Sequence, residues 1–482
     1  MNRMHRILAL VLITTTPVVA MAQSSADYNP FTDNSRLEKQ LLDDISKRFQ
    51  EDQLSVNGKN RKYILEMYKE RYETIKKKFD EKEVMTNQEV NQYLKQLTDE
   101  IINPNKSKIP GNIRIQFSRT HWPNASSMGE GTILFNIGLF SRLQNESQAA
   151  FVIAHELAHY CLSHSNNSIR QYVETVNSED FQRQLKEIRS SAYGQNTAVE
   201  KLALKLSFRS RRHSREFEQA ADSMALELLK STSYDVREAL STLALLDSVD
   251  KDKYQCQLKL EQTFSFPEYP FKKKWLASSS LTFTDTKEEA AKKKVLEDSL
   301  KTHPDCQRRI QFLQAKVTQY YSPVSKKFVV SETQFNKLKN DFDYESLNYE
   351  YESKDVSSCL YHSLQMLQFN KSNPYLMAMV GKCLNRIYTA QMNHELGKIT
   401  DLPNPAFDDE YNYLLRLLQN VRLTELSALS YYFLKQNQET GKSSEEFVAA
   451  LIQSKENFEK PDEKKQWIDY YHKQFQNRKY NF

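Results

Sequence analysis

Nine glycines among 482 residues leave this chain few places where the backbone can turn left-handed or let a phosphate come close. Gly-rich phosphate loops and glycine-demanding all-β folds are therefore set aside, and a mainly α fold with at most a small β-sheet is expected. The length suggests two or three domains and a sizeable core. Charged residues make up 27 %, but 67 basic side chains stand against 62 acidic ones, a net +5, so nothing points to nucleic acid.

On such a chain, residues 145–164 (NESQAAFVIAHELAHYCLSH) state the chemistry. Asn145 is a good N-cap, and Phe151, Ile153, Ala154, Leu157 and Ala158 form an apolar body free of Gly and Pro, which predicts a helix. The helix holds His155-Glu156-Leu157-Ala158-His159, an H-E-x-x-H pattern. Residues four apart share a helix face, so both imidazoles can address one ion, while Glu156, one step round, can reach an attacking water without being a ligand. Catalytic zinc needs a third protein ligand and an open fourth position. A partial copy at His394-Glu395-Leu396-Gly397 has Lys398 in place of the second His and cannot bind as a pair.

Residues 214–222, SREFEQAAD, open a second helical stretch. Glu218 and Asp222 are four apart and share a face, and Ala221 lets that face lie close to a neighbouring helix. Glu218 is thus the expected third ligand, with Asp222 hydrogen-bonded to the other nitrogen of a ligand imidazole. Glu216 and Glu227 compete as carboxylates, and His164 and His213 as imidazoles. The longer pattern H-E-x-x-H-x-x-G-x-x-H fails, because Leu162 and Ser165 stand where Gly and the third His belong.

The rest of the chain is read around these two helices. Residues 1–22 resemble a secretory signal: Arg3, His5 and Arg6, an apolar run over 7–19, then Ala20-Met21-Ala22 before Gln23. No later run is long and apolar enough for a membrane helix, so a soluble exported protein is expected, periplasmic or secreted. Residues 23–35 read as a loose leader, 60–85 and 87–102 as helices, and 113–117 and 132–136 as strands about the Gly129-Glu130-Gly131 turn. This small sheet reads either as an edge that would align an extended peptide over the metal or as a plain structural hairpin. Residues 166–207 read as solvated helix.

Residues 250–300 contain the aromatic stretch FSFPEYPF (264–271), read either as a lid over the cleft or as a surface insertion. After a linker over 317–330, residues 331–482 show helical patterns at 332–351, 356–369, 374–391, 408–420, 423–436, 444–452 and 464–474. Stacked helix pairs, a solenoid or a bundle, are expected there. Five cysteines (161, 256, 306, 359 and 383) suit at most two disulfides, and Cys359–Cys383 is the pair expected.

H-E-x-x-H followed by S-R-x-x-E-x-x-A-D resembles the zinc metallopeptidase family that includes the CAAX prenyl proteases and the HtpX-type membrane proteases. The likeness takes in Asn124-Ala125, Gly131-Thr132-Ile133, Gly138-Leu139, Asn145-Glu146, Thr302-His303-Pro304 and Arg309-Ile310, and spans about residues 90–315. It implies a zincin-like domain over 23–316. His155, His159 and Glu218 would be zinc ligands, Glu156 the general base, and Asp222 a support behind them. His303 and Arg309 would be groups near the transition state, and Asn124, Ala125 and Ile133 would bind substrate. Lacking the family's spanning helices, the chain is more similar to its soluble periplasmic branch, whose members carry a tetratricopeptide-like tail. That branch implies polypeptide substrates, quality control of cell-envelope proteins, and an outer-membrane assembly partner docked on the tail. The alternative expectation is a chaperone or scaffold whose metal site is gated by His303.

Overall fold

A computed structural model describes residues 28–190, 215–248, 251, 253–277, 306–404 and 407–460. These residues are mainly helical, with one three-stranded sheet of order β1-β3-β2. The segments read as signal (1–22), the 191–207 part of the polar helix and the last helical pattern (464–474) lie outside the described residues, as do His213 and His303.

Strand β1 (Arg114–Ser118) runs parallel to β3 (Thr132–Asn136), Phe117 facing Phe135, and β2 (Ala125–Ser127) runs antiparallel to β3, Ser126 facing Leu134. The expected alternation of β1 holds on one side, where Phe117 enters the core. On the other side Arg114 is buried too, because Glu130 of the turn that leads into β3 accepts its guanidinium at 2.6 Å. Gly131 makes that turn possible: its φ is +111°, and a Cβ there would sit 2.4 Å from the Asn112 carbonyl. The outer edge of β1 is covered by residues 83–85, with Met85 N–H donating to Phe117 O and Arg119 N–H to Glu83 O. Among the described residues no strand pairs with the outer edge of β2.

Behind the sheet, the helices Gln88–Ile102, Glu146–Cys161, Glu238–Leu246 and Cys306–Tyr320 enclose a core of Phe117, Phe135, Phe140, Phe151, Leu157, Leu229 and Leu313. The 215–229 helix joins it through Ala225, Leu226 and Leu229. Two further helices, Ser35–Ser55 and Arg61–Asp80, pack outside; the first was not foreseen from sequence, its apolar positions being only Leu41, Ile45 and a few half-buried neighbours. The described part of the supposed loose leader is anchored. Tyr28 is buried, donates to Glu345 at 2.5 Å and stacks on Tyr344, while Asp33 accepts from Arg119 at 2.9 Å.

The tail begins inside the core behind the sheet. Phe335, Leu338 and Phe342 of the helix Glu332–Glu352 pack there, and only the later part of that helix turns to the tail's own core. In the tail, the helix Pro374–Met392 is packed against Val356–Phe369, Leu423–Gln436 and Glu445–Glu459. The described half of the 250–300 segment belongs to this second core: Phe264, Phe266 and Trp275 are buried among tail helices, and Tyr269 stacks on Tyr432. Aromatic burial, not access to the cleft, explains why that stretch is rich in Phe and Tyr. The expected disulfide is not formed. Cys359 and Cys383 are free buried thiols, and Cys359 donates to the Leu347 carbonyl.

Residues 329–331 are tied to the helix Glu146–Cys161. Glu146, wholly buried in its first turn, accepts from the Val329, Val330 and Ser331 amides at 2.6, 2.7 and 2.8 Å and from Tyr93 at 2.9 Å. Ser331 then caps the helix Glu332–Glu352. A carboxylate saturated by four donors holds the two halves of the chain in register.

Candidate metal centre

Asn145 caps the helix Glu146–Cys161, its side chain accepting from the Gln148 amide at 3.0 Å, and the apolar body buries the helix nearly all round. His155 and His159 emerge on one face with their Nε2 atoms 3.0 Å apart. Across from them, the 215–229 helix presents Glu218, whose oxygens lie 3.4 Å from His155 Nε2 and 3.3 Å from His159 Nε2. Ala221, fully buried, keeps the two helices close.

Both imidazoles are held from behind. His155 Nδ1 lies 3.0 Å from Asp222 Oδ1, and a carboxylate can only accept, so a ring proton sits on Nδ1 and Nε2 is the nitrogen that would give its lone pair to a metal. His159 Nδ1 lies 2.9 Å from His164 Nδ1. That contact depends on Ser163, whose left-handed backbone (φ 56°) ends one helix and folds the next back upon it, and on Phe217, stacked at 4.3 Å on the His164 ring. His164 is pushed down to about 4 by burial and by the neighbouring imidazoles, so it faces His159 as a neutral ring.

Arg309, on the helix Cys306–Tyr320, makes a two-pronged contact with Asp222, Nε to Oδ2 and Nη2 to Oδ1, both at 2.7 Å, and brings Nη1 to 3.0 Å from Glu218 Oε2. Its guanidinium therefore lies on Asp222 and on Glu218, itself one of the candidate ligands. Burial alone would raise the Asp222 carboxyl, but Arg309 and His155 hold it below its ordinary value. Burial likewise opposes charge on His155, and the hydrogen bonds to Asp222 and Glu218 overcome it, lifting the ring to about 10 in the metal-free protein.

The donor set fits zinc. Two Nε2 lone pairs and a carboxylate converge within 4.8 Å of one another, separations of 3.0–3.4 Å that match the roughly 3.3 Å edge of a tetrahedron with zinc–nitrogen arms of about 2.0–2.1 Å.

The structure thus brings together His155, His159, Glu218, Asp222 and Arg309, with Glu156 buried in the same helix turn. The competing carboxylates go elsewhere: Glu216 is exposed, and Glu227 pairs with Lys230 and Tyr320. Ala125 lies on the edge strand and Asn124 just before it, its carbonyl accepting from Asn136 at 3.0 Å, while Ile133 is 1 % exposed in the central strand. His164 as the partner of His159 was weighed only as a rival ligand; the tight turn at Ser163 that gives it this position has no glycine to announce it.

No curated protein matches the chain. Residues 88–317, which carry both His155-Glu156-Leu157-Ala158-His159 and the Glu218 to Asp222 stretch, match the model of Peptidase family M48.

Proposed function

We propose that this chain is an exported zinc-dependent endopeptidase that hydrolyses peptide bonds in misfolded or unassembled cell-envelope proteins. The observation that carries the hydrolytic reading is the meeting of His155, His159 and Glu218 on one point, with Glu156 beside it. When bound there, zinc supplies Lewis acidity and a water acidic enough to be deprotonated near neutral pH.

The chain's own residues do the rest. Glu156 takes the proton of the attacking water and returns it to the departing amine, one carboxylate serving in turn as base and acid. Asp222 and His164 hold the two imidazoles in the orientation that keeps both Nε2 atoms toward Glu218 and the point where a metal would sit. Arg309 neutralises Asp222 and shares Glu218, so the buried carboxylates stay ionised and in place. The outer edge of β2 offers main-chain groups to an extended substrate, which would fix the scissile bond by strand addition. Edge pairing reads backbone rather than side chains, and that suits a peptidase whose substrates share an unfolded state more than a sequence.

The secretory pattern in residues 1–22 supports export, and the helical tail supports docking of an assembly partner of the outer membrane. His303 would act close to the reacting centre. The test is casein digestion by wild type and Glu156→Gln at equal zinc content. A loss of at least a thousandfold in kcat with zinc retained is expected; a variant that digests casein at the wild-type rate refutes the mechanism.

A further inference from the structure

The loop between β1 and β2 carries a histidine that plays no part in the centre above. His121 stacks on His362, ring centroids 3.8 Å apart and planes 22° apart, and His362 Nδ1 lies 2.9 and 3.0 Å from the two oxygens of Glu350. The three residues come from three separate elements. His121 precedes β2, Glu350 is in the helix Glu332–Glu352, and His362 is in Val356–Phe369. Ser346, four residues before Glu350 and so on the same helix face, lies 3.5 Å from His121 Nδ1.

We propose that His121, Glu350 and His362 form a second divalent-metal site, separate from the His155 centre, which binds zinc or a similarly imidazole-preferring ion and clasps the peptidase domain to the helical tail.

One donor atom from each residue lies within 4.8 Å of the others, as at the His155 centre, and the two sites share the same set of two imidazoles and one Glu. This set suits zinc, copper or nickel better than calcium or magnesium, which prefer oxygen. Lys253, a nearby cation, is already paired with Asp343 at 2.6 Å. Ring lone pairs lie in the ring plane, so an ion held by both imidazoles opens the stack at one edge. The flanking Arg119–Glu345 ion pair, 2.5 Å long, and Gly138, whose missing Cβ would fall 1.8 Å from the His121 carbonyl, hold the loop in place while the rings turn. Bound there, the ion would connect the β1–β2 loop, which leads into the substrate edge, with the first two helices of the tail.

The experiment counts zinc per chain in full-length protein grown in zinc-supplied medium and dialysed against zinc-free buffer. Two per chain are expected in wild type, one in His155→Ala/His159→Ala, one in His362→Ala and none when all three changes are combined. One zinc in wild type, unchanged by His362→Ala and abolished by His155→Ala/His159→Ala, overturns the proposal and leaves the peptidase reading intact. The converse pattern, zinc lost with His362→Ala alone, sinks that reading and keeps this one. Should His362→Ala fail to fold, the chelator-treated His155→Ala/His159→Ala protein is titrated with Zn²⁺. A saturable rise in Tm, halved or lost on adding His121→Asn, supports the site, and a flat Tm overturns it.

Discussion

Asp222→Asn isolates the support behind the metal ligands from the ligands themselves. Asp222 Oδ1 meets both His155 Nδ1 and Arg309 Nη2, and Oδ2 meets Arg309 Nε. Asparagine has the same shape but one acceptor oxygen. Kept toward His155 and Nη2, that oxygen turns the amide NH2 against Arg309 Nε–H, donor to donor, at a position with no solvent exposure. Leaving a buried charged donor unmatched costs about 1–3 kcal/mol in stability. Turned the other way, the amide faces His155 Nδ1, pushes the ring proton to Nε2 and removes the lone pair the metal needs. Loss of such a supporting partner weakens zinc roughly 10–100-fold, or about 1.4–2.7 kcal/mol. Zinc affinity is read by competition with a chromophoric chelator, and stability by thermal unfolding of the metal-free protein. Asp222→Asn is expected to lower both; an affinity within about twofold of wild type, with Tm unchanged, would refute the role given to Asp222.

Other outcomes follow from the same contacts. His155 stands at about 10 in the metal-free protein against an ordinary 6.5, so its stabilising pairing is complete below about 6.5 and is lost as pH rises toward 10. The Tm of chelated protein should therefore fall across that window, and His155→Gln should flatten the fall. Because zinc must displace that proton, zinc affinity should drop as pH is lowered, with proton release measurable by calorimetry in buffers of different ionisation enthalpy. Glu146→Gln keeps the volume but puts an amide NH2 where several donors converge on a carboxylate, at a cost of about 2–3 kcal/mol; a denaturation midpoint within error of wild type would contradict it. Gly138→Ala drives a Cβ to 1.8 Å from the His121 carbonyl and should cost about 1–3 kcal/mol while shifting the β1–β2 loop, seen as weakened substrate binding (higher KM) more than lowered kcat.

The ligands were legible because helix periodicity is a local property. His155 and His159 had to share a face wherever the helix lay, and Glu218 and Asp222 likewise, so two four-residue spacings and a small residue between sufficed. The tail helices were legible for the same reason, their apolar periodicity and turn signals lying within single elements. By contrast, the helix Ser35–Ser55 escaped notice, because a helix held by a few apolar side chains against one neighbour shows little contrast along the sequence.

What tertiary structure alone decided is which distant groups meet. Packing of the helix Cys306–Tyr320 puts the Arg309 guanidinium on Asp222 and Glu218, a pairing that no local spacing announces. Trp275 and Phe264 had two readings by sequence, and burial among tail helices accounts for them. The tail's first helix is part of the peptidase core, and Glu146 gathers amides from nearly two hundred residues away. Periodicity tells which face of a helix is apolar and which bears ligands; it carries no information about the partner of that face. Only the folded chain, in which each buried charge must find its counterpart, selects Arg309 for Asp222.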